Sequence, residues 1–418
     1  MDGSQLDGVR LINFEAYTYK GKCDMVTLKK EIEAYVDSHR QEMLDLWRDV
    51  VNLEGNSEDL AGLRRVVDRF KQEFESTGMQ CTLLPMGDGA QDYLTGILNP
   101  DLPGEPVLFC GHYDTILPPG KYGPNPFRVE DGHARGPGVL DMKGGIVIAL
   151  YVVKALAAIG FRERPIKICF VSDEESCHEH NDKAGETIMR EAKGCLCAFN
   201  METGRVNNDL CIGRSARVEF HVAVNGVSAH AGNDFTAGRN AIEEMCHKVL
   251  ELQALTDLSQ GSTVNCGVIQ GGTVANAVPG RCELDVDMRF LKQSELEKTI
   301  EKAQVICAQT HVEGTTTECS YRVAMPAFET IDGVMELYEL TKAVSEEYGY
   351  GSPGKIVLGG VSDASYLTLA GTPTLCSCGV RGENNHTDNE YAIVESLYER
   401  SKLLAAVILN LGQFRKGL

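Results

Sequence analysis

Three runs of the chain, Pro106–Cys110, Ile166–Val171 and Cys195–Phe199, stay apolar almost from end to end instead of alternating with polar residues. A strand of that composition is buried on both faces, so it belongs inside a sheet covered by helices on either side. The sequence around them supplies the helices. Met25–Leu53 and Asp59–Thr77 carry apolar residues at helical spacing, and Gly144–Gly160 is apolar nearly all round, as a fully buried helix should be. Strands alternating with helices define an α/β layer structure with a largely parallel sheet.

Each apolar run breaks off into residues that bind metals. His112 closes the first, the tandem Glu174-Glu175 follows the second, and Glu202 follows the third. In open α/β sheets ligands bind in the crevice beyond the carboxyl ends of the strands, so three strands aim His or Glu at one edge. Asp141 lies in the glycine-rich stretch Gly136-Pro-Gly-Val-Leu-Asp-Met-Lys-Gly-Gly, just ahead of the buried helix, and His386 lies in a polar loop late in the chain. Imidazole and carboxylate together suit zinc, and a carboxylate between two ions bridges them. Asp114, two residues past His112, is placed to orient the imidazole. The Glu174-Glu175 pair offers one ligand and one free base. His178 and His180 imitate a metal site but trail the Glu pair by several residues and read as loop residues. Gly136-Pro-Gly is only a weak echo of a dinucleotide loop.

Near Arg214 the pattern changes. Residues 217–224 alternate like a half-exposed strand, followed by a helix at Ala237–Ala254, strands at Thr263–Ile269 and Arg281–Arg289, a helix at Ser294–Thr310 and a strand ending near Ala324. Strand–helix–strand–strand–helix–strand is a ferredoxin-like α+β unit with an exposed sheet edge. Helical and short apolar segments return after Gly333. The 418 residues therefore divide into an α/β domain, 1–213 and 328–418, interrupted by an inserted domain at 214–327. The formal net charge of −20 argues against nucleic acid or an anionic membrane as partner. The 15 cysteines stand singly or as Cys195/Cys197 and Cys376/Cys378, without zinc-finger spacing. They read as free buried thiols of a reducing, cytoplasmic compartment. The polar leader before residue 25 has no basic start and apolar core, so it does not read as a signal peptide, and Ile146–Ile159 is too short to span a bilayer.

His112-Tyr-Asp114, Gly138-Val-Leu-Asp141-Met-Lys-Gly-Gly, Asp173-Glu174-Glu175, Glu202, Ser228-Ala-His230-Ala-Gly, Asn276-Ala-Val-Pro-Gly, Asp287-Met-Arg289, Gly359-Gly360-Val-Ser-Asp-Ala and His386 resemble, in order, the motifs of the aminoacylase/glutamate carboxypeptidase family of di-zinc metallopeptidases. The resemblance runs from about residue 40 to 412. It implies a zinc-exopeptidase-like catalytic domain carrying a lid and dimerisation domain, with two zinc ions per chain that cobalt or manganese could replace. Asp141 would bridge, with Glu175 and His386 on one ion and His112 and Glu202 on the other. Glu174 would be the general base, and the Asp141–Met142 peptide bond would be cis. His230 would reach the partner subunit's site in a homodimer, Asn276 and Arg289 would hold a substrate carboxylate, and Gly359 and Gly360 would border the substrate.

The activity so implied is hydrolysis of an amide or peptide bond in a small peptide or N-acyl amino acid, releasing an amino acid with a free α-carboxylate. Carboxypeptidase, deacylase, dipeptidase and desuccinylase all remain open. A related di-zinc aminopeptidase is a further reading, disfavoured by Asn276 and Arg289, and a catalytically silent binding paralogue is another, disfavoured by an intact Glu174 and ligand set. One departure bears on specificity. Folate-cleaving relatives hold the leaving glutamate's side chain with a lysine after the Glu202 position and an arginine before Pro-Ala-Phe. Here Thr203-Gly-Arg205-Val supplies no lysine, and Met325 precedes Pro326. By that matching alone, neutral or apolar leaving residues should be accepted at least as well as glutamate.

Overall fold

The computed structural model describes residues 25–414 apart from 88 and 180, so the leader and His180 lie outside the described residues. The central sheet has six strands in the spatial order Gln80–Leu84, Tyr93–Leu98, Ile166–Val171, Val107–His112, Cys197–Asn200 and Thr374–Leu375. The last four run parallel, and the first two extend the edge antiparallel. Val107–His112 is buried at every position, as its unbroken apolar run requires. Phe109 stacks at a tilt on Phe199 from the neighbouring strand. Helix Gly144–Ala158 is the buried layer against the sheet, and Val394–Asn410 packs beside it.

The N-terminal helix is broken where one continuous helix was expected. Met25–Ser38 and Arg40–Asn52 are separated by His39, whose backbone (φ −108°, ψ 11°) leaves the helical region. Its ring stacks on Tyr35 at 4.1 Å and Nδ1 lies 2.7 Å from the Tyr35 carbonyl, a local contact that competes with the helical ladder. Trp47 on the second segment is fully buried, and its indole N–H donates to the Val139 carbonyl at 3.2 Å. That bond ties the outer helix layer to the Asp141 loop.

Residues 216–325 build a second sheet with its own core, antiparallel throughout, in the order Thr263–Gly271, Arg281–Phe290, Ala216–Asn225 and Thr316–Met325. Helices Ala241–Gln253 and Gln293–Ala308 cover one face, which gives the ferredoxin-like arrangement. The first helix begins later than its apolar pattern suggested. Asn240 caps it by accepting from the N–H groups of Ile242 and Glu243, and Phe235–Ala237 forms a separate 3-10 turn. Ala216, Val218, Phe220, Val222 and Val224 point into this core, and Arg217, Glu219 and His221 point to the opposite, open face.

The bond between Asp141 and Met142 is cis. Close packing holds the helix that follows against the Glu202 strand, because a Cβ on Gly145 would collide with the Met201 carbonyl. Gly145→Ala is therefore expected to force helix and strand apart at a cost of about 1–3 kcal/mol. A thermal melt of the variant should fall by a few degrees, and an unchanged melting temperature would contradict this packing.

Candidate metal centre and substrate cleft

Parallel register brings the ends of the three central strands together. His112 pairs with Val171, Cys110 pairs with Asn200, and Glu174 and Glu202 follow a few residues further on. Asp141 reaches the same edge from the turn before the buried helix. Two groups of side chains result, His112, Asp141 and Glu202, and Asp141, Glu175 and His386, with ligand atoms within 4.8 Å in each. Asp141 belongs to both. Its Oδ1 lies 3.2 Å from His112 Nε2, and its Oδ2 lies 3.1 Å from His386 Nε2. Glu202 Oε1 is 3.6 Å and Glu174 Oε2 is 3.9 Å from His112 Nε2, and Glu175 Oε2 is 3.1 Å from His386 Nε2.

The donor set fits divalent cations. Four carboxylates and two imidazoles converge in a largely buried pocket, an excess of negative charge that buried side chains alone cannot relieve. Burial, and next the charge of Glu202, push the Glu174 carboxyl well above its ordinary range. Burial, and next the charge of Asp141, push Glu175 up to about 7. A dication between such groups offsets that repulsion.

The surrounding residues fix these groups in place. Asp114 is fully buried, with Oδ1 3.2 Å from His112 Nδ1, while its Oδ2 accepts from Ser57 Oγ at 2.7 Å and from the Glu175 N–H at 3.1 Å. One carboxylate thus positions both an imidazole and the tandem Glu turn. Glu390 accepts from the N–H groups of Leu140 at 2.7 Å, Asp141 at 3.1 Å and Gly138 at 3.3 Å. Asn385 Nδ2 donates to Asp141 Oδ2 at 2.9 Å. Neither Glu390 nor Asn385 stands out in the sequence, and their only signal is proximity to His386.

His178 lies in the turn after the Glu pair and outside both metal groups, as read, but it has a bracing role. It is buried, with Nδ1 3.0 Å from Asp173 Oδ1 and Nε2 2.8 Å from Asp363 Oδ1, and the Tyr93 hydroxyl also donates to Asp173 at 2.6 Å. It braces the Glu174–Glu175 turn against the loop that follows Gly360.

A cleft of about 460 Å³ opens over the Asp141 cluster, lined among others by Glu174, Arg214, Arg217, Arg289, Gly360 and His386. Arg214 is buried, with Nη1 donating to the Gly360 and Val361 carbonyls and Nη2 lying 3.8 Å from Glu202 Oε2. Arg289 forks onto Asp287. Gly359 adjoins Gly360 at the rim. His230 and Asn276 are not among the residues lining this cleft. His230 is exposed, its Nδ1 accepts from the N–H groups of Gly232 and Asn233, and its strand pairs with Ala277–Val278 beside Asn276.

This fold and cluster define a class of metallohydrolase. The description of peptidase family M20/M25/M40 matches residues 108–410, and the chain belongs to that family. It is a hydrolase acting on carbon–nitrogen bonds. It is 27% identical over 371 residues to carboxypeptidase G2 of Pseudomonas sp. (strain RS-16), covering 87% of this chain and 88% of that one. It is 24% identical to the succinyl-diaminopimelate desuccinylase of Alkalilimnicola ehrlichii, covering 74% and 84%. The fold matches aminopeptidase PepT from Bacillus cereus with a TM-score of 0.76 at 21% identity, covering 89% and 99%. It also matches the M20 family metallo-carboxypeptidase Sso-CP2 from Sulfolobus solfataricus with a TM-score of 0.70 at 15% identity, covering 88% and 98%. Among the described residues no helix is long and apolar enough to cross a membrane.

Removing the Glu390 carboxylate would leave three N–H groups around Asp141 without their acceptor. Glu390→Ala is expected to lower metal affinity by about 10–100-fold with the ligands themselves untouched. Competition with a chromogenic chelator reads this out, and wild-type affinity in the variant would contradict the role given to Glu390.

Proposed function

We propose that this chain is a di-zinc exopeptidase or N-acyl amino acid amidohydrolase that releases an amino acid with a free α-carboxylate. The single observation that carries the reading is Asp141 shared between the two imidazole-and-carboxylate groups, with Glu174 beside them. Zinc ions held by His112, Glu202 and Asp141, and by Asp141, Glu175 and His386, would supply Lewis acidity toward a carbonyl oxygen and toward water. Glu174 takes a proton from the attacking water and returns it to the leaving nitrogen. Asp114 keeps His112 in one orientation. Arg289 receives the substrate α-carboxylate, which sets the scissile bond over the cluster.

In this reading residues 214–327 form a lid hinged near 214 and 327 on the catalytic domain, 1–213 and 328–418. The lid also dimerises. Val268 and Ile269 on the edge strand Thr263–Gly271 are each about half exposed, which favours pairing of that edge with a second copy. His230 and Asn276 sit side by side, so both arrive together at the partner subunit's cleft, where Arg289 completes carboxylate binding.

Glu174→Gln is expected to retain zinc and lose about 10²–10⁴ in kcat, while Glu175→Gln and Asp141→Ala lose metal. Elemental analysis beside turnover of a mixed N-acyl amino acid and dipeptide library separates these cases. Near-normal turnover in the Glu174 variant would refute the base assignment, and one tightly bound metal with full activity would refute the di-zinc reading.

A dimer is expected by light scattering, with activity lost in His230→Ala. A fully active monomer indifferent to His230→Ala would contradict the shared site.

A further inference from the structure

The cleft carries more positive charge than one substrate carboxylate requires. Arg217 and Arg289 both line it, and they are a register pair on neighbouring antiparallel strands. Both hold Asp287: Arg289 Nε lies 2.7 Å from Oδ1 and its Nη2 3.1 Å from Oδ2, and Arg217 Nε lies 3.2 Å from Oδ2. On the other side, Arg217 Nη2 is 3.2 Å from Glu219 Oε1, and Arg322 Nε is 3.1 Å from Glu219 Oε2. Three guanidinium groups share these two carboxylates, one positive charge more than the acids offset, and Arg217 stands in the middle of the row. Among the described residues its Nη1 meets the weak acceptor Cys177 Sγ, at 4.0 Å. About a third of the Arg217 side chain is exposed, which leaves its outer N–H groups open to a ligand in the cleft.

The walls beside it are apolar. Cys177 and Val361 line the cleft and pack with Met325, the residue paired with Arg217 on its other strand neighbour. Met325 taken alone argues for indifference to side-chain charge. Arg217, one strand over, argues the reverse.

We infer that Arg217 is a second carboxylate receptor and that the leaving amino acid is dicarboxylic. Its α-carboxylate lies on Arg289, its methylenes lie over Cys177 and Val361, and its distal carboxylate lies on the outer N–H groups of Arg217. Two guanidinium groups joined through one aspartate on register-paired residues, with backbones about 5 Å apart, suit two acids on one short amino acid. An acid on the acyl group would lie beyond the scissile carbonyl. The inference rests on the proposed release of an amino acid with a free α-carboxylate and names its side chain.

The test is calorimetric titration of the zinc-loaded full-length protein with L-glutamate, L-glutamine and L-norvaline, beside hydrolysis of their N-acyl forms. Glutamate is expected to bind about 10-fold or more tighter than the other two. Arg217→Gln should bring the three within about threefold of one another, and Arg217→Lys should restore part of the preference. A thermal melt close to that of the wild type reports an intact fold. Equal binding of glutamate and glutamine by the wild type, or a glutamate preference that survives Arg217→Gln, overturns the inference even where amide bonds are cleaved. A preference abolished by Arg217→Gln in a protein that cleaves none of the N-acyl amino acids supports this subsite and overturns the amino-acid-releasing reading instead.

Discussion

The Asp141 carboxylate, held between two imidazoles, is the contact on which the rest of the site depends. Each oxygen faces one histidine, His112 from the end of a central strand and His386 from a loop near the C-terminus. A carboxylate that serves two partners tolerates little rotation, and the chain restrains it from several directions. Glu390 collects the N–H groups of the turn that carries it, Asn385 holds Oδ2, and Trp47 pins the Val139 carbonyl at the start of that turn. The buried helix after Asp141 is apolar on every side because it must fit between the sheet and the outer helices. Its close approach to Met201 at Gly145 couples the position of Asp141 to that of Glu202.

The same economy governs the opposite wall of the cleft. Asp287 is shared by Arg217 and Arg289, and Glu219 by Arg217 and Arg322. The cluster around Asp141 gathers acids, and the facing strands of the second sheet gather guanidinium groups. In the proposed function, the carboxylates of a substrate would meet the second wall and its amide the first. In that reading electrostatics would orient the substrate before any chemistry, and the partly buried setting would strengthen each contact.

The fold was largely legible in the sequence. Unbroken apolar runs announced buried parallel strands, and alternation at 217–224 announced a sheet with one open face. The misses have local causes. His39 breaks a helix through its contact with Tyr35, and the cap at Asn240 overrides the apolar pattern before it. Gln80–Leu84 passed unread because it is a half-exposed edge strand with a weak apolar signal, and Tyr93–Leu98, although internal, because Thr95 and Gly96 interrupt its short apolar run.

Within the site, Asp141 and His386 lie in a turn and a loop and took their roles from the family resemblance, whereas His112, Glu174, Glu175 and Glu202 were legible as candidate ligands because each closes or follows a buried strand and such ends share one sheet edge. That much follows from chain-local rules. The sequence did not reveal Glu390 beneath Asp141, His178 between Asp173 and Asp363, or Arg217 beside Arg289. These pairings join residues far apart in the chain, and strand register, not spacing along the sequence, decides which side chains meet. Arg217 illustrates the limit: its neighbours on the same strand say only that it faces outward. The two flanking strands decide its surroundings in the cleft, because they bring one shared aspartate and one neutral methionine to its sides.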